Sequence, residues 1–455
     1  MTEPATVNRQ RTTLKLFDLT VIVVSLVIGM GIFRSSYDVA REAHSPLVFF
    51  SAWIFGGIIA LFGALTFAEI GSRYPVTGGF YKVFSYCYHP ALAFMINCII
   101  IISNAASVSA VALIGSGYLL GILPGDYQTE TVKQVVALVA VIAFFFLNYL
   151  GFRMSVKTQN VLMVIKIAII LFVCFGIFFA PAPAVVSTMI PSASTPDFWL
   201  NVKAFSAAMI AVSFTYGGYQ QTINFGGEVA NPQRIIPKAI FIGITIIVSL
   251  YLLTNYAYYH VLGFEGIQLS KNDLAARHMQ AMFGGYAYQV MSALLFFCVL
   301  AYVNIGLMSN PRAMYAMADD GVLPAALKRQ NDRQVLTVSL PIFAGFSVLT
   351  LFFADDFDKI LSYVIFLDSI GLATAVGSVF ILRKKTKHLD ESNAPIYKLK
   401  WYPWMPIIYI LAYAFVSISI MIKDLQAAAV GLAMFAAFYP LYLISRRNAK
   451  RTTGN

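Results

Sequence analysis

Four glycines sit where glycine is expensive. Gly29 and Gly31 flank Met30 in the middle of a stretch long and apolar enough to cross a bilayer, and Gly217-Gly218 interrupts a second such stretch. Glycine weakens a helix interior, and lipid penalises every unpaired backbone group, so such interruptions persist where they line a cavity inside protein. A helix broken at mid-membrane offers two kinds of chemistry. The half that begins near Ile32 aims free N–H groups into the gap, a seat for an anion. The half that ends near Ile28 leaves carbonyls able to accept from an ammonium. The second interruption, around Phe214, Thr215, Tyr216, Gly217 and Gly218, repeats the arrangement. A molecule with one carboxylate and one ammonium on neighbouring atoms fits both, and no ionised side chain is required. Glycine also serves close helix packing in membranes. The matched interruptions in the two halves of the chain favour a carrier's substrate site over packing. Gly56-Gly57 and Gly115/Gly117 have no such counterpart and read as packing residues.

Two charges lie within apolar stretches. Lys166, in Val164-Ile165-Lys166-Ile167-Ala168, stands about two to three turns from the start of its span, a long reach for snorkelling. A lysine inside the membrane is costly and by default functional; its ammonium would bind the free carbonyls where the first span breaks. Whether it cycles a proton separates symport from exchange. Asp368, near the middle of the tenth span, joins a structural network with Ser362, Tyr363 or Ser369, or acts as a proton-coupling carboxylate. Glu69 and Glu228, at the cytoplasmic ends of spans two and six, read as gate salt bridges or helix-end caps, with Arg153 or Arg234 as partners. Asn304 and Ser309 in span eight either complete the Lys166 site or act as interhelical glue.

These groups need a membrane scaffold, and the composition supplies one. Of 455 residues 59% are hydrophobic and 12% charged, about half the charged fraction of soluble domains. Apolar runs recur from end to end and predict 12 transmembrane helices, near 14–42, 47–72, 91–122, 132–152, 156–180, 201–230, 237–263, 285–318, 335–354, 359–382, 402–422 and 426–445. The interrupted spans are the first and the sixth. That spacing predicts an all-α membrane protein with two inverted five-span repeats, 14–180 and 201–382, two extra helices over 402–445, and tails 1–13 and 446–455.

Lys and Arg gather on the side of the termini, as in Arg9, Arg11, Arg73, Arg153, Arg383, Lys384, Lys385 and Arg446, while the opposite loops hold Asp126, Glu130, Asp355 and Asp356. Basic loops stay in the cytoplasm, so both termini are expected there, in a plasma membrane of the bacterial inner type. The net charge of +11 then reflects orientation, and nucleic acid is not an expected partner. The polar start, Met1 to Thr13, shows no cleavage site, so the first span is expected to remain. Cys87, Cys98, Cys174 and Cys298, and the scattered His44, His89, His260, His278 and His388, have no metal-ligand spacing. No metal or cofactor is expected. Neither a phosphate loop nor a nucleophile–base pair is evident, which argues against an enzyme.

Several motifs carry a family likeness. Val27-Ile28-Gly29-Met30-Gly31-Ile32-Phe33 resembles the first-helix signature of the amino acid–polyamine–organocation superfamily. Ala68-Glu69-Ile70 with Pro75, Thr77, Gly78, Gly79 and Tyr81 does the same after span two. Phe214 to Tyr219, Gly227-Glu228-Val229-Ala230-Asn231-Pro232, and Arg312 followed by Asp319, Asp320, Gly321 and Pro324 resemble the L-type amino acid transporter branch. The likeness spans helices one to ten. It implies the inverted-repeat fold, alternating access, and substrate held by main-chain atoms of spans one and six. It implies that Gly29, Met30 and Gly31 hold the carboxylate, that Val27, Phe214, Thr215 and Gly217 surround the ammonium, and that Phe214 is the gate. It also implies that Lys166 takes the place of a sodium ion, bracing span one against span eight. Met30 departs from the family's usual Ser or Thr and removes a hydroxyl contact.

Around the substrate's side chain the expected lining is Met30, Phe214, Tyr219, Gln220 and the Ser103-Asn104-Ala105-Ala106 part of span three, without a clear carboxylate. Cationic substrates are therefore disfavoured and neutral L-amino acids expected. Sodium-independent exchange is the preferred mode. Proton symport is the close rival, and a transport-inactive amino acid sensor belongs to a different class. A channel is disfavoured by the broken helices. Mammalian L-type carriers pair with a heavy chain through a cysteine after span three. The loop from Gly121 to Thr131 has none, so no disulfide-linked heavy chain is expected.

Overall fold

The computed structural model describes residues 13–29, 31–124, 127–178, 198–270, 273–352, 357–392 and 395–453. Met30 lies outside them, as does most of the loop before span six. The described residues form helices with only isolated β-bridges between them. In chain order these are α1 (Leu16–Val27), α2 (Gly31–Ala43), α3 (Pro46–Arg73), α4 (Gly79–Cys87), α5 (Pro90–Leu120), α6 (Glu130–Tyr149), α7 (Phe152–Phe175) and α8 (Phe198–Thr215). Two 3-10 segments, Tyr219–Asn224 and Gly226–Glu228, follow. Then come α9 (Pro232–Leu269), α10 (Leu274–Phe283), α11 (Gly285–Asp319), α12 (Ser339–Leu351), α13 (Phe357–Lys385), α14 (Lys387–Glu391), α15 (Trp404–Lys423) and α16 (Leu425–Thr453).

Local chemistry starts several of these helices. Ser45 caps α3, its hydroxyl accepting from the Val48 amide at 3.3 Å, and Pro46 takes the first turn, where its missing N–H costs nothing. His89 and Pro90 do the same for α5, and Thr129 accepts from Val132 at the start of α6. Counting each broken span once, 11 stretches among the described residues are long and apolar enough to cross a membrane, so the protein is a multi-pass membrane protein. The ninth predicted span, 335–354, is described as the 13-residue α12, about 20 Å long at 1.5 Å per residue and below the length that spans a bilayer alone. The seventh runs beyond its predicted end to Leu269, with a kink at Gly263 (φ 69°).

The broken spans sit at the centre. α1 packs on α9, α7 and α11, while α2 packs on α8 and α9. Small residues bring these helices together: a Cβ on Gly243 would lie 2.5 Å from Val23, one on Gly57 would lie 3.0 Å from Val248, and one on Gly115 would lie 2.6 Å from Val299. Gly56, Gly57 and Gly115 are thus packing positions, whereas Gly117 is loosely surrounded.

Candidate functional site

α1 ends at Val27 and α2 begins at Gly31; Ile28 and Gly29 between them lie outside both helices. The Ile28 amide still reaches back to Val24 (2.7 Å), and the Gly29 amide donates to the Val27 carbonyl (2.8 Å) instead of pointing into the gap. The first amides of α2, from Gly31 onward, have no carbonyl behind them within the helix, the arrangement that favours a negative charge. α8 ends at Thr215 and does not resume as an α-helix; the chain continues in 3-10 turns from Tyr219. There the Gly217 amide donates to the Phe214 carbonyl (3.1 Å), and the Gly218 amide to Gln220 Oε1 (2.8 Å).

The two interruptions touch. Gly218 has φ 118°, a region L side chains rarely adopt, and a Cβ there would overlap the Leu26 carbonyl. Gly31 lies on Thr215, whose Cγ2 would be 2.8 Å from an added Cβ. The fully buried Tyr251 of α9 bridges both breaks, its hydroxyl 3.1 Å from the Val27 carbonyl and 3.3 Å from that of Thr215. The sequence marks Gly218 as part of the second break without assigning it a contact, whereas Tyr251, one tyrosine in a long apolar helix, does not stand out. Removing only that hydroxyl, in Tyr251→Phe, should lower substrate affinity by roughly fivefold, because a net hydrogen bond contributes about 1 kcal/mol; isothermal titration against the unchanged protein checks it.

Lys166 of α7 reaches the first break without lining the cavity beside it. It is fully buried, and its Nζ donates to the Ile28 carbonyl at 2.5 Å. Asn304 and Ser309 do not join it. Asn304 donates to Gln159 Oε1 (2.7 Å) and accepts from Asn148 (2.8 Å), while Ser309 donates to Gln221 Oε1 (3.2 Å). Those side chains lie further along α11, each matched to a polar group on another element.

A cavity of about 510 Å³ opens onto both breaks. Val27, Gly29, Gly31, Phe214, Thr215, Gly217 and Gln220 line it, and so does Asp368. Ile28 does not, because it is fully buried and its carbonyl faces Lys166. Of the expected side-chain lining, Asn104 and Gln220 face the cavity; Tyr219 turns away to Tyr409 (3.2 Å between hydroxyls), and Ser103 and Ala105 are buried. Two findings correct the sequence reading of Asp368 and the lining. The wall does contain a carboxylate, Asp368, so the argument against cationic substrates from its absence does not hold. Ser369 donates to the Ile365 carbonyl (2.7 Å) rather than to Asp368, and Ser362 and Tyr363 have no described side chains.

The cavity runs along α2 past Arg34 and Asp38 to the exposed Arg41. Towards the first residues of α1 the way is packed shut. Leu14 exchanges backbone hydrogen bonds with Glu228 (2.7 Å) and Ala230 (3.2 Å), and Gly78 donates to the Asn224 carbonyl (2.8 Å). Arg312 pairs with Glu228 (2.9 Å) while lying between the rings of Phe152 and Phe225 at 4.5 and 4.6 Å. Glu69 is gripped by Arg73 (2.7 Å) and Arg383 (2.7 Å) and accepts from the Leu399 amide (2.8 Å). Arg153 and Arg234 are exposed and partner neither glutamate, which corrects the sequence expectation.

At the end of α3, Arg73 makes a two-pronged contact with Asp390 of α14, which lies outside the spans (3.0 and 3.1 Å), and Lys398 joins Asp390 at 3.0 Å. The Arg73 hydrogen bonds hold the Asp390 carboxyl down at about 2. A depressed folded value means stabilisation that is complete above the unfolded value, near 4, and is lost as pH falls through about 2. The unfolding temperature of Asp390→Asn should therefore fall below that of the unchanged protein at pH 7, and the gap should close between about pH 4 and pH 2.

A bundle of membrane-crossing helices, two of them broken against each other around a polar-walled cavity, defines a solute carrier. The sequence signature described as amino acid permease matches residues 14–444. The chain belongs to the amino acid permease family, within the amino acid–polyamine–organocation superfamily. It is 28% identical over 432 residues to the serine/threonine exchanger SteT of Bacillus subtilis (strain 168), covering 94% of this chain and 95% of that protein. It is 26% identical over 433 residues to the large neutral amino acids transporter small subunit 2 of Mus musculus, covering 93% and 79%. To the cystine/glutamate transporter of Homo sapiens it is 26% identical over 373 residues, covering 80% and 72%. These relatives are transporters, and the chain is a transport protein, not an enzyme.

Proposed function

We propose that this permease moves neutral L-amino acids across the membrane by alternating access, in sodium-independent exchange. The observation that carries the reading is the buried Lys166 ammonium on the Ile28 carbonyl at 2.5 Å, beside a cavity that meets both breaks. A fixed positive charge there supplies the counter-charge that a sodium ion would otherwise bring to the end of α1. The substrate carboxylate sits on the opening amides of α2, at Gly31 with Gly29 and Met30 beside it. The ammonium faces the carbonyls around Val27, Phe214, Thr215 and Gly217, and Phe214 closes over it. The names of the relatives, an exchanger and a neutral amino acid transporter, support the same class.

In this reading residues 14–180 and 201–382 are inverted repeats of five spans, α12 belongs to the ninth of twelve spans, and 402–445 adds the last two. Both termini are cytoplasmic in a plasma membrane, so the cavity along α2 faces outward and the Arg312–Glu228 and Glu69–Arg383 layers form the inner gate. The chain acts without a disulfide-linked heavy chain. Proton symport is the second reading, and Asp368 in the cavity wall favours it. The deciding experiment is uptake of labelled neutral amino acids into sodium-free proteoliposomes at equal pH, empty or preloaded. Uptake only into preloaded vesicles supports exchange, accumulation in empty vesicles under an inward proton gradient supports symport, and binding without flux supports a sensor.

A further inference from the structure

Beyond the breaks, the main cavity adjoins a polar annex of about 30 Å³, room for about one water molecule. Asn104, Gln220, Gln221 and Asp368 face both spaces, while Asn97, Asn224 and Asn310 line the annex and not the main cavity. The amides satisfy one another. Asn104 Nδ2 donates to Asn310 Oδ1 (2.6 Å), and Gln221 Nε2 donates to Asn104 Oδ1 (3.3 Å). Gln221 Oε1 accepts from Ser309 (3.2 Å), Asn310 Nδ2 donates to the Gly306 carbonyl (2.9 Å), and Gln220 Oε1 is spent on the Gly218 amide (2.8 Å). Asp368 is different: among the described residues no hydrogen bond reaches its carboxylate. A carboxylate offers about four acceptor sites, and leaving them bare within a membrane is costly.

We propose that Asp368 sets the side-chain selectivity of the carrier, accepting a hydrogen bond from an O–H or N–H donor at the end of the substrate's side chain. The proposal rests on the reading that this cavity binds amino acids, and it names which ones. A side chain bearing a hydroxyl, carboxamide or ammonium gives Asp368 a partner. An aliphatic side chain of the same shape displaces water from the annex and leaves the carboxylate unpaired, which is the more costly outcome. Asn104, Asn310 and Gln221 are already paired and cannot turn to compensate without breaking their own network. Discrimination between isosteres at the annex therefore falls on the Asp368 carboxylate.

The test is the apparent affinity of the purified full-length chain for matched pairs, threonine against valine and lysine against norleucine, from ligand-induced shifts of the unfolding temperature. The donor member of at least one pair should bind tenfold or more tighter, the order expected when a site built to hydrogen-bond a substrate meets an analogue lacking the donor (about tenfold to far larger). In Asp368→Ala the ratio should fall to about twofold or less, and Asp368→Asn, whose Oδ1 still accepts, should keep part of it. Each ratio is taken within one preparation, so a lower yield of folded variant does not affect it. Equal binding of both pairs, or a preference undiminished in Asp368→Ala, overturns the proposal. Preference confined to lysine upholds Asp368 and overturns the neutral-substrate assignment, whereas binding of none of the four overturns the amino acid reading and this proposal with it.

Discussion

Replacing Lys166 with alanine is expected to slow exchange in proteoliposomes by about ten- to a hundredfold, with a smaller loss of substrate affinity. The estimate follows from the contact itself. A hydrogen bond to a charged group contributes about 1.5–3 kcal/mol, and every 1.4 kcal/mol is a factor of ten. Here the group is fully buried and the acceptor is the Ile28 carbonyl, which the end of α1 leaves without a helical donor. Without the ammonium, the end of α1 loses the tie that holds it to α7. The cavity wall is less affected, because Lys166 does not line it. Lys166→Met, which keeps the length of the stem, should behave like the alanine variant if charge matters and like the unchanged protein if packing matters. Unaltered exchange in both variants would show that the contact is incidental.

The second large effect is expected at Gly218. Gly218→Ala should abolish measurable amino acid binding, a loss of more than about a hundredfold, and lower the unfolding temperature. Two independent costs add at this residue: a φ of 118°, which strains any L side chain, and a Cβ that would overlap the Leu26 carbonyl of the other broken span. Neither backbone can yield without moving its break. Gly217→Ala is the control. Its Cβ would lie 3.2 Å from the Phe214 carbonyl, tight but open to a small adjustment, so the effect should be several-fold. Titration of both variants with the same amino acid decides it. Equal binding by the two would mean that the contact of the breaks does not govern the seat.

What was legible in the sequence came from local rules. Helix interruptions show themselves because glycine is rare where a helix must be continuous, and helix starts at Pro46 and Pro90 show themselves because proline and its cap are neighbours in the chain. The family signature, too, consists of short contiguous runs. What stayed hidden depends on contacts between distant segments. Tyr251 meets Val27 across 224 positions, and Arg383 meets Glu69 across 314, so nothing in the spacing pairs them. The partners proposed for Glu69 and Glu228 were sequence-plausible arginines that the fold leaves outside. Asp368 was recognised as a buried charge, but its place in the cavity wall depends on how α13 turns towards the breaks, which periodicity in an all-round apolar helix does not reveal.

The two interruptions are chemically unequal. In the sixth span the carbonyls of Val212, Phe214 and Thr215 already accept from Tyr216, Gly217 and Tyr251, and the Gly218 amide is spent on Gln220. In the first span a 13-residue helix opens at Gly31, and its leading amides have no carbonyl behind them within the helix. In the proposed reading, a zwitterion would set its carboxylate at that helix N-terminus and its ammonium across the gap. Carboxylate and ammonium alone fix only an axis, about which either enantiomer can turn. Telling the two apart takes a third contact, at the side chain or the α-hydrogen, and that contact must come from the cavity wall rather than from the breaks.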